Sequence, residues 1–182
     1  MPPKLETFRL ILRDLRTSDL IAVFDYSSQP EYSQFLPYPT PTSLEDFQSI
    51  FQNLLVDENS YLWAITLKSD GQLIGLIELS LNSLTEASLH YEIDRQFWNQ
   101  GFATESTQTV IVWTWENLPQ ILHLTADTHS ANFGSQQVMQ KSGMNLIRTE
   151  VVTWEKFEKP VQLLIYQIDR PIFSTADRAG RL

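Results

Sequence analysis

The sequence of 182 residues contains no cysteine. Disulfides, thiolate metal sites and a cysteine nucleophile are therefore excluded, and any group transfer must proceed without a cysteinyl intermediate. No apolar run approaches the roughly 18 residues of a membrane helix, and the N-terminus lacks the apolar core of a signal peptide, so a cytoplasmic protein is expected. Positive charge is scarce, with 13 Lys and Arg against 22 Asp and Glu, a net charge of −9. Such a field disfavours nucleic acid and anionic membranes as partners and favours cationic ones such as amines; a solvated acidic surface is the plainer reading of the same numbers. Of the three histidines, His123 and His129 lack metal-ligand spacing with each other or with acids, and no metal is expected. Repeats, low-complexity tracts and linkers are also missing. One domain over residues 1–170, followed by a loose tail over 171–182, is the simplest division at this length.

The pattern that is present alternates between helical and strand periods. Phe8 to Leu12 reads as a first strand, followed by Thr17-Ser18-Asp19, a capping cluster for a helix to about Ser27. In Gln29 to Thr42, Pro30, Pro37, Pro39 and Pro41 interrupt Tyr32, Phe35, Leu36 and Tyr38. Prolines at that density forbid regular structure, and the aromatics between them need a surface to cover, either the edge of the core or a bound substrate. Ser43 and Asp46 resemble a capping box before a second helix, in which Leu44, Phe47, Ile50, Phe51, Leu54 and Leu55 recur at helical spacing. From Tyr61 the period becomes two. Trp63 to Leu67 and Leu73 to Leu81 form a hairpin across Asp70-Gly71, and the fourth strand is Ala87 to Asp94. In that strand Ala87, Leu89, Tyr91 and Ile93 fall on one face, while Ser88, His90, Glu92 and Asp94 fall on the other. A helix from Ala103 to about Asn117, a strand Ile121 to Thr125, a polar loop Asp127 to Asn132, a short helix ended by Gly143, and strands Met144 to Trp154 and Val161 to Ile168 complete the order. This order predicts an α+β or mixed α/β fold with one central sheet. The five tryptophans read mainly as packing residues.

The stretch Tyr91 to Glu105 is the candidate site. A strand runs through a short loop with a lone glycine, Gly101, into the first turn of a helix. The start of a helix leaves several N–H groups without intrahelical partners beside a partial positive charge, so a phosphate can be held there without a basic side chain. Glycine lets the backbone approach the ligand closely.

These residues resemble the GNAT acetyltransferase superfamily, and within it the branch of the ribosomal-protein N-terminal (alanine) acetyltransferases. The resemblance rests on Glu6-Thr7-Phe8-Arg9-Leu10-Ile11-Leu12-Arg13, Leu73-Ile74-Gly75, Phe97-Trp98-Asn99-Gln100-Gly101-Phe102-Ala103-Thr104-Glu105, Asn132-Phe133-Gly134-Ser135 and Lys141-Ser142-Gly143-Met144, in that order along nearly the whole chain. It implies a single, mostly antiparallel sheet of about seven strands flanked by helices, with the fourth and fifth strands diverging. It also implies acetyl-coenzyme A as co-substrate and an amine as acceptor, either a small molecule or a protein N-terminus, handled by a monomer or homodimer. The resemblance places the cofactor's pyrophosphate on Asn99, Gln100, Gly101, Phe102, Ala103 and Thr104, and its pantetheine arm against Ile93. Asn132 would hold that arm or cap its helix, and Ser135 would return a proton to the departing thiolate. Glu92, through water or directly, is the favoured general base, with His90 and Glu78 behind it; a solvated strand residue is the bland reading of Glu92. Many members carry glycine where this chain has Asn99 and a small residue where it has His90. A non-catalytic acyl-coenzyme A binding or sensing module is the alternative.

Overall fold

In the computed structural model, which describes residues 2–171, the period-2 segments join one sheet and the helical segments cover its two faces. The strands are β1 (Leu5–Glu6), β2 (Leu10–Asp14), β3 (Ser60–Leu67), β4 (Leu73–Leu81), β5 (Glu86–Ile93), β6 (His123–His129), β7 (Asn145–Val152) and β8 (Val161–Asp169). The helices are α1 (Leu20–Ser27), α2 (Leu44–Val56), α3 (Phe102–Asn117) and α4 (Phe133–Lys141). The sheet order is β1-β2-β3-β4-β5-β6-β8-β7, and β5 with β6 is its parallel pair among the described residues. This is the mixed α/β, mostly antiparallel architecture expected from the sequence, with an eighth, two-residue strand added at the edge. Residues 172–182 of the expected tail lie outside the described residues.

Strict alternation gives the sheet two apolar faces. Trp63 and Ile65 of β3 belong to the core beneath α3, with Leu10, Leu12, Ile77, Leu89, Val110 and Ile111. Their neighbours Leu62 and Ala64 point the other way, into a second cluster with Val23 and Tyr26 of α1 and Phe47 and Phe51 of α2. Side chains on successive strand residues project to opposite faces, so one strand serves two cores. Ser43 caps α2 by accepting the Asp46 N–H at 3.1 Å, as the capping pattern predicts. Helices α1 and α2 cover β3 and β4, whereas α3 and α4 pack on the opposite face.

Several boundaries shift by a few residues from expectation, and two of the shifts have clear physical reasons. The first long strand begins at Leu10 rather than Phe8, because the Thr7 hydroxyl accepts the Leu10 N–H at 2.8 Å and turns the chain. Phe8 is consequently 94% exposed. The segment Asp127-Thr128-His129, expected as loop, continues β6, with Asp127 opposite Ile165, Thr128 opposite Leu164 and His129 opposite Leu163. Its ladder comes from β8, which enters between β6 and β7, and no local pattern in polar residues announces a partner so distant in sequence.

Next to the candidate site, β4 has one residue more than its partner: Ile65 opposes Gly75 and Thr66 opposes Leu73, so Ile74 is skipped. A bulge of this kind bends a strand locally. It brings Gly75 so close to β5 that a Cβ there would lie 2.1 Å from the Glu92 carbonyl oxygen. Gly75→Ala is expected to lower stability by about 1–3 kcal/mol through overpacking against backbone that cannot yield. A chemical denaturation midpoint equal to that of wild type would contradict this reading.

Candidate active site

The site begins where two strands part. Strand β5 pairs with β6 only over Glu86, Ala87 and Ser88, opposite His123, Leu124 and Thr125, yet stays paired with β4 as far as Ile93. The Asp94 N–H donates to the Ile74 carbonyl at 2.8 Å. Because backbone groups of successive residues point to opposite sides of a strand, the amides of Glu92 and Asp94 serve β4, and those of Tyr91 and Ile93 are directed into the opening beyond Ser88. The Ile93 carbonyl is partly used, since it accepts the Trp98 indole N–H at 2.7 Å.

At the end of β5 the chain makes two left-handed steps, Asn99 with φ +60° and Gly101 with φ +82°. Asparagine is among the few side chains that tolerate this region, which explains how the turn keeps its shape without a second glycine. Gly101 is the N-cap of the 16-residue α3 and offers no side chain to the first turn. Among the described residues, the N–H groups of Gly101, Phe102, Ala103 and Thr104 meet no protein acceptor. Four converging donors at the positive end of a helix suit an anion such as a diphosphate.

A brace fixes this turn from the other end of the chain. Arg9 donates through Nε to Glu105 Oε2 at 2.7 Å and through Nη1 to the Gln100 carbonyl at 2.9 Å. Its guanidinium also lies 4.2 Å from the centre of the Phe102 ring. The Arg9 N–H donates to Glu105 Oε1 at 3.0 Å, and the Thr7 hydroxyl donates to the same oxygen. Burial pushes the Glu105 carboxyl upward, but the Thr7 hydroxyl and the Arg9 N–H and guanidinium together outweigh it and hold the group below its ordinary range. Arg9 is thus committed to shaping the turn.

Asn132 is the N-cap of α4, its Oδ1 accepting the Ser135 N–H at 3.1 Å. That settles its capping role and leaves its side-chain amide N–H groups without a use in the cap. The Ser135 hydroxyl lies 2.8 Å from the Tyr91 hydroxyl, which also donates to the Ser135 carbonyl at 3.0 Å. Tyr91 therefore connects β5 to α4 across the mouth of the opening. Burial raises the Tyr91 phenol well above its ordinary range, so it serves as a neutral hydrogen-bonding group.

Glu92 lies on the opposite face of β5, half-buried. Its Oε1 accepts from the Tyr26 hydroxyl at 2.5 Å and its Oε2 from the Tyr32 hydroxyl. Burial raises its carboxyl above the usual range; the two phenols pull it down, and Glu78 nearby raises it again. The outcome is a carboxylate displaced toward neutrality, as a proton acceptor requires. His90, opposite Glu78 on β4, is exposed and shares a 3.1 Å hydrogen bond with Ser88. It lines a polar groove with Ser88, Thr125, Asp127, Arg148 and Glu150. The face of the sheet that carries Glu92 thus bears the acids Glu78, Glu92, Asp127 and Glu150, of which Glu150 is paired with Arg148 at 2.7 Å.

The sequence pattern of the acetyltransferase (GNAT) domain family matches residues 9–145. The chain belongs to that family. The acetyltransferase is similar to the uncharacterized N-acetyltransferase YoaA of Bacillus subtilis, with 29% identity over 150 residues, covering 79% of this chain and 83% of that one. Its fold matches that of a GNAT-family acetyltransferase from Bacillus anthracis with a TM-score of 0.83 at 18% identity, over 92% and 99% of the two chains. It also matches a spermidine N-acetyltransferase from Vibrio cholerae, solved with CoA and spermine, with a TM-score of 0.78 at 14% identity over 90% and 97%. The ribosomal L7/L12 alpha-N-protein acetyltransferase RimL, solved with coenzyme A, gives 0.78 at 17% identity over 92% and 98%.

Around one opening the acetyltransferase therefore gathers Ile93, the turn Asn99 to Thr104, Asn132 and Ser135, with Glu92 on the far face of the same strand. Sequence reasoning missed the brace and the phenols. Arg9 and Glu105 both sit inside motifs that carry the family resemblance, which was the available signal for their pairing. Tyr32 was marked only as an aromatic in need of a surface and Tyr91 only by its strand face, while Tyr26 left no signal beyond its residue type. Since the folded carboxyl of Glu105 is depressed, its contribution to stability is present above the unfolded value and is lost as pH falls through the folded one. Glu105→Gln is expected to cost about 1 kcal/mol at pH 7, after allowing for solvent screening of the ion pair. Melting curves across pH should show the gap between variant and wild type closing as pH falls below the ordinary glutamate range; a gap independent of pH would contradict the assignment.

Proposed function

We propose that this acetyltransferase uses acetyl-coenzyme A to acetylate the primary amine of a cationic acceptor, either a small polyamine-like molecule or a protein N-terminus. The observation that carries the reading is the juxtaposition of the unpartnered amides of Gly101 to Thr104 with the open edge of β5. The residues fit the co-substrate: the amides of the turn would hold its diphosphate, and the Tyr91 and Ile93 backbone would pair with its extended pantetheine arm. The Asn132 side-chain amide, which the cap leaves unused, would donate to the same arm. Acetyl-coenzyme A supplies an acetyl group already activated as a thioester.

The remaining work belongs to the chain's own side chains. An acceptor amine is protonated at neutral pH and cannot attack until it loses a proton. Glu92, displaced upward by burial, is the proton acceptor of this reading. The Ser135 hydroxyl, held at 2.8 Å from Tyr91, is the group that returns a proton to the leaving sulfur. The acids Glu78, Glu92 and Asp127 on one face, within a chain of net charge −9, favour a cationic acceptor by local and long-range attraction. The amine-directed names of the spermidine and ribosomal-protein structural neighbours agree with that preference.

Thiol release from acetyl-coenzyme A, followed with spermidine and with an alanyl peptide as acceptors, tests the reading. Wild-type protein should release thiol with at least one of them, whereas cofactor binding without release would support a sensing module instead. Glu92→Gln is expected to lower kcat by about 10²–10⁴-fold and to remove the acidic limb of the pH profile, with cofactor affinity by calorimetry unchanged. A surviving limb would eliminate Glu92 as the base.

A further inference from the structure

The segment between α1 and α2, residues 29–42, crosses the face of the sheet on which Glu92 lies, and it is tied down at several points. Lys156, in the turn between β7 and β8, donates from Nζ to the Ser33 carbonyl, to Ser33 Oγ at 2.9 Å and to the Tyr38 carbonyl at 3.3 Å. Arg95 pairs with Glu31. Ser33 and Thr40 share a 2.5 Å hydrogen bond across the strap, and the Phe35 ring lies 5.5 Å from the His129 ring. Of the aromatics expected to need a surface, Tyr32 and Phe35 have therefore found one, whereas Tyr38 remains 48% exposed.

The strap's most consequential contact is Tyr32. With Tyr26 on Oε1 and Tyr32 on Oε2, each oxygen of Glu92 already holds a phenol. Tyr26 is 3% exposed and belongs to the core cluster of α1 and α2, so it is fixed. Tyr32 is carried by the strap, packs against the edge of the same cluster and has the Tyr38 phenol nearby. We propose that Tyr32 is a specificity-determining residue: its phenol reserves Oε2 of Glu92 until an acceptor ammonium replaces it, and the Lys156-anchored strap decides which donors succeed.

The inference rests on the reading of Glu92 as the base. In the exchange the Tyr32 hydroxyl turns from Oε2 to Tyr38, and an ammonium N–H takes its place, so the carboxylate keeps its number of hydrogen bonds. The phenol already donates to an ionised acceptor, and an ammonium in its place adds the attraction of a second, opposite charge, so a cationic amine gains by the exchange. A neutral hydroxyl acceptor would swap one neutral donor for another and gain nothing. Selection for charged amines over alcohols thus follows from what already occupies the base. The titratable groups acting on Glu92 are Tyr26 from α1, Tyr32 from the strap and Glu78 from β4, with Tyr38 coupled to it from the far end of the strap.

Two variants of the full chain test this, with acetyl-coenzyme A and spermidine or an alanyl peptide as probes. Tyr32→Phe removes one donor to the charged carboxylate, so the acidic limb of kcat/KM should move up by about one pH unit. It also removes the competitor for Oε2, so the acceptor KM should fall about five-fold. Lys156→Met loosens the strap without touching Glu92. It should lower the acceptor KM and move the limb up by less than Tyr32→Phe does, since Tyr32 is loosened and not removed, and it decides the matter if the Tyr32 variant fails to fold. Wild-type values of KM in both variants overturn the inference, as does a limb that moves in Tyr32→Phe while KM stays constant, since that marks a purely electrostatic neighbour. The loss of turnover in Glu92→Gln is scored separately, so a silent Tyr32 beside an essential Glu92 refutes the strap and spares the base.

Discussion

Strand β5 keeps its ladder with β4 to its end but gives up β6 after Ser88, and the arrangement of the site follows from that separation. A strand that loses one neighbour leaves every second amide and carbonyl without a partner, which inside a protein is a cost unless something else takes them. Here the first turn of α4 meets β5 beside the gap through Ser135 and Tyr91, and α3 begins shortly after β5 ends. The same strand sends Tyr91 to α4 on one face and Glu92 toward α1 on the other. One strand therefore carries the open edge and the candidate base Glu92, and through Tyr91 it meets the candidate acid Ser135 on α4.

The turn after β5 is the second requirement. A helix start offers donors only if the preceding chain leaves them uncovered, and the left-handed pair Asn99 and Gly101 accomplishes this. The geometry is supported by a side chain far away in sequence: Arg9 of the turn before β2 ties together Gln100, Glu105 and Phe102. Its charge is largely spent on Glu105 and on the Gln100 carbonyl. The positive potential at the proposed anion site combines main-chain dipoles with a guanidinium whose Nη2 lies beside Gly101.

What the sequence made legible was local. The strict alternation from Ala87 to Asp94 assigned Tyr91 and Glu92 to opposite faces, and their contacts with Ser135 and Tyr26 bear that out. The lone glycine before an acid-bearing helix start located the turn, and Ser43 located the start of α2. What remained hidden depends on tertiary pairing. Arg9 and Glu105 are 96 residues apart, and Tyr26 and Tyr32 stand 66 and 60 residues from Glu92. No periodicity encodes such encounters. The extension of β6 through His129 likewise required β8 to supply a ladder. Glu92 itself was legible as a polar strand residue, whereas its two phenol donors, which decide how it can act, were not.

The most direct test of the account is a crystal structure of the protein with coenzyme A. The account predicts diphosphate oxygens about 3 Å from the main-chain nitrogens of Gly101 to Thr104, with the pantetheine arm lying along Tyr91 and Ile93 in the gap between β5 and β6. A diphosphate bound by lysine or arginine side chains away from this turn, or a gap filled by the protein itself, would contradict it.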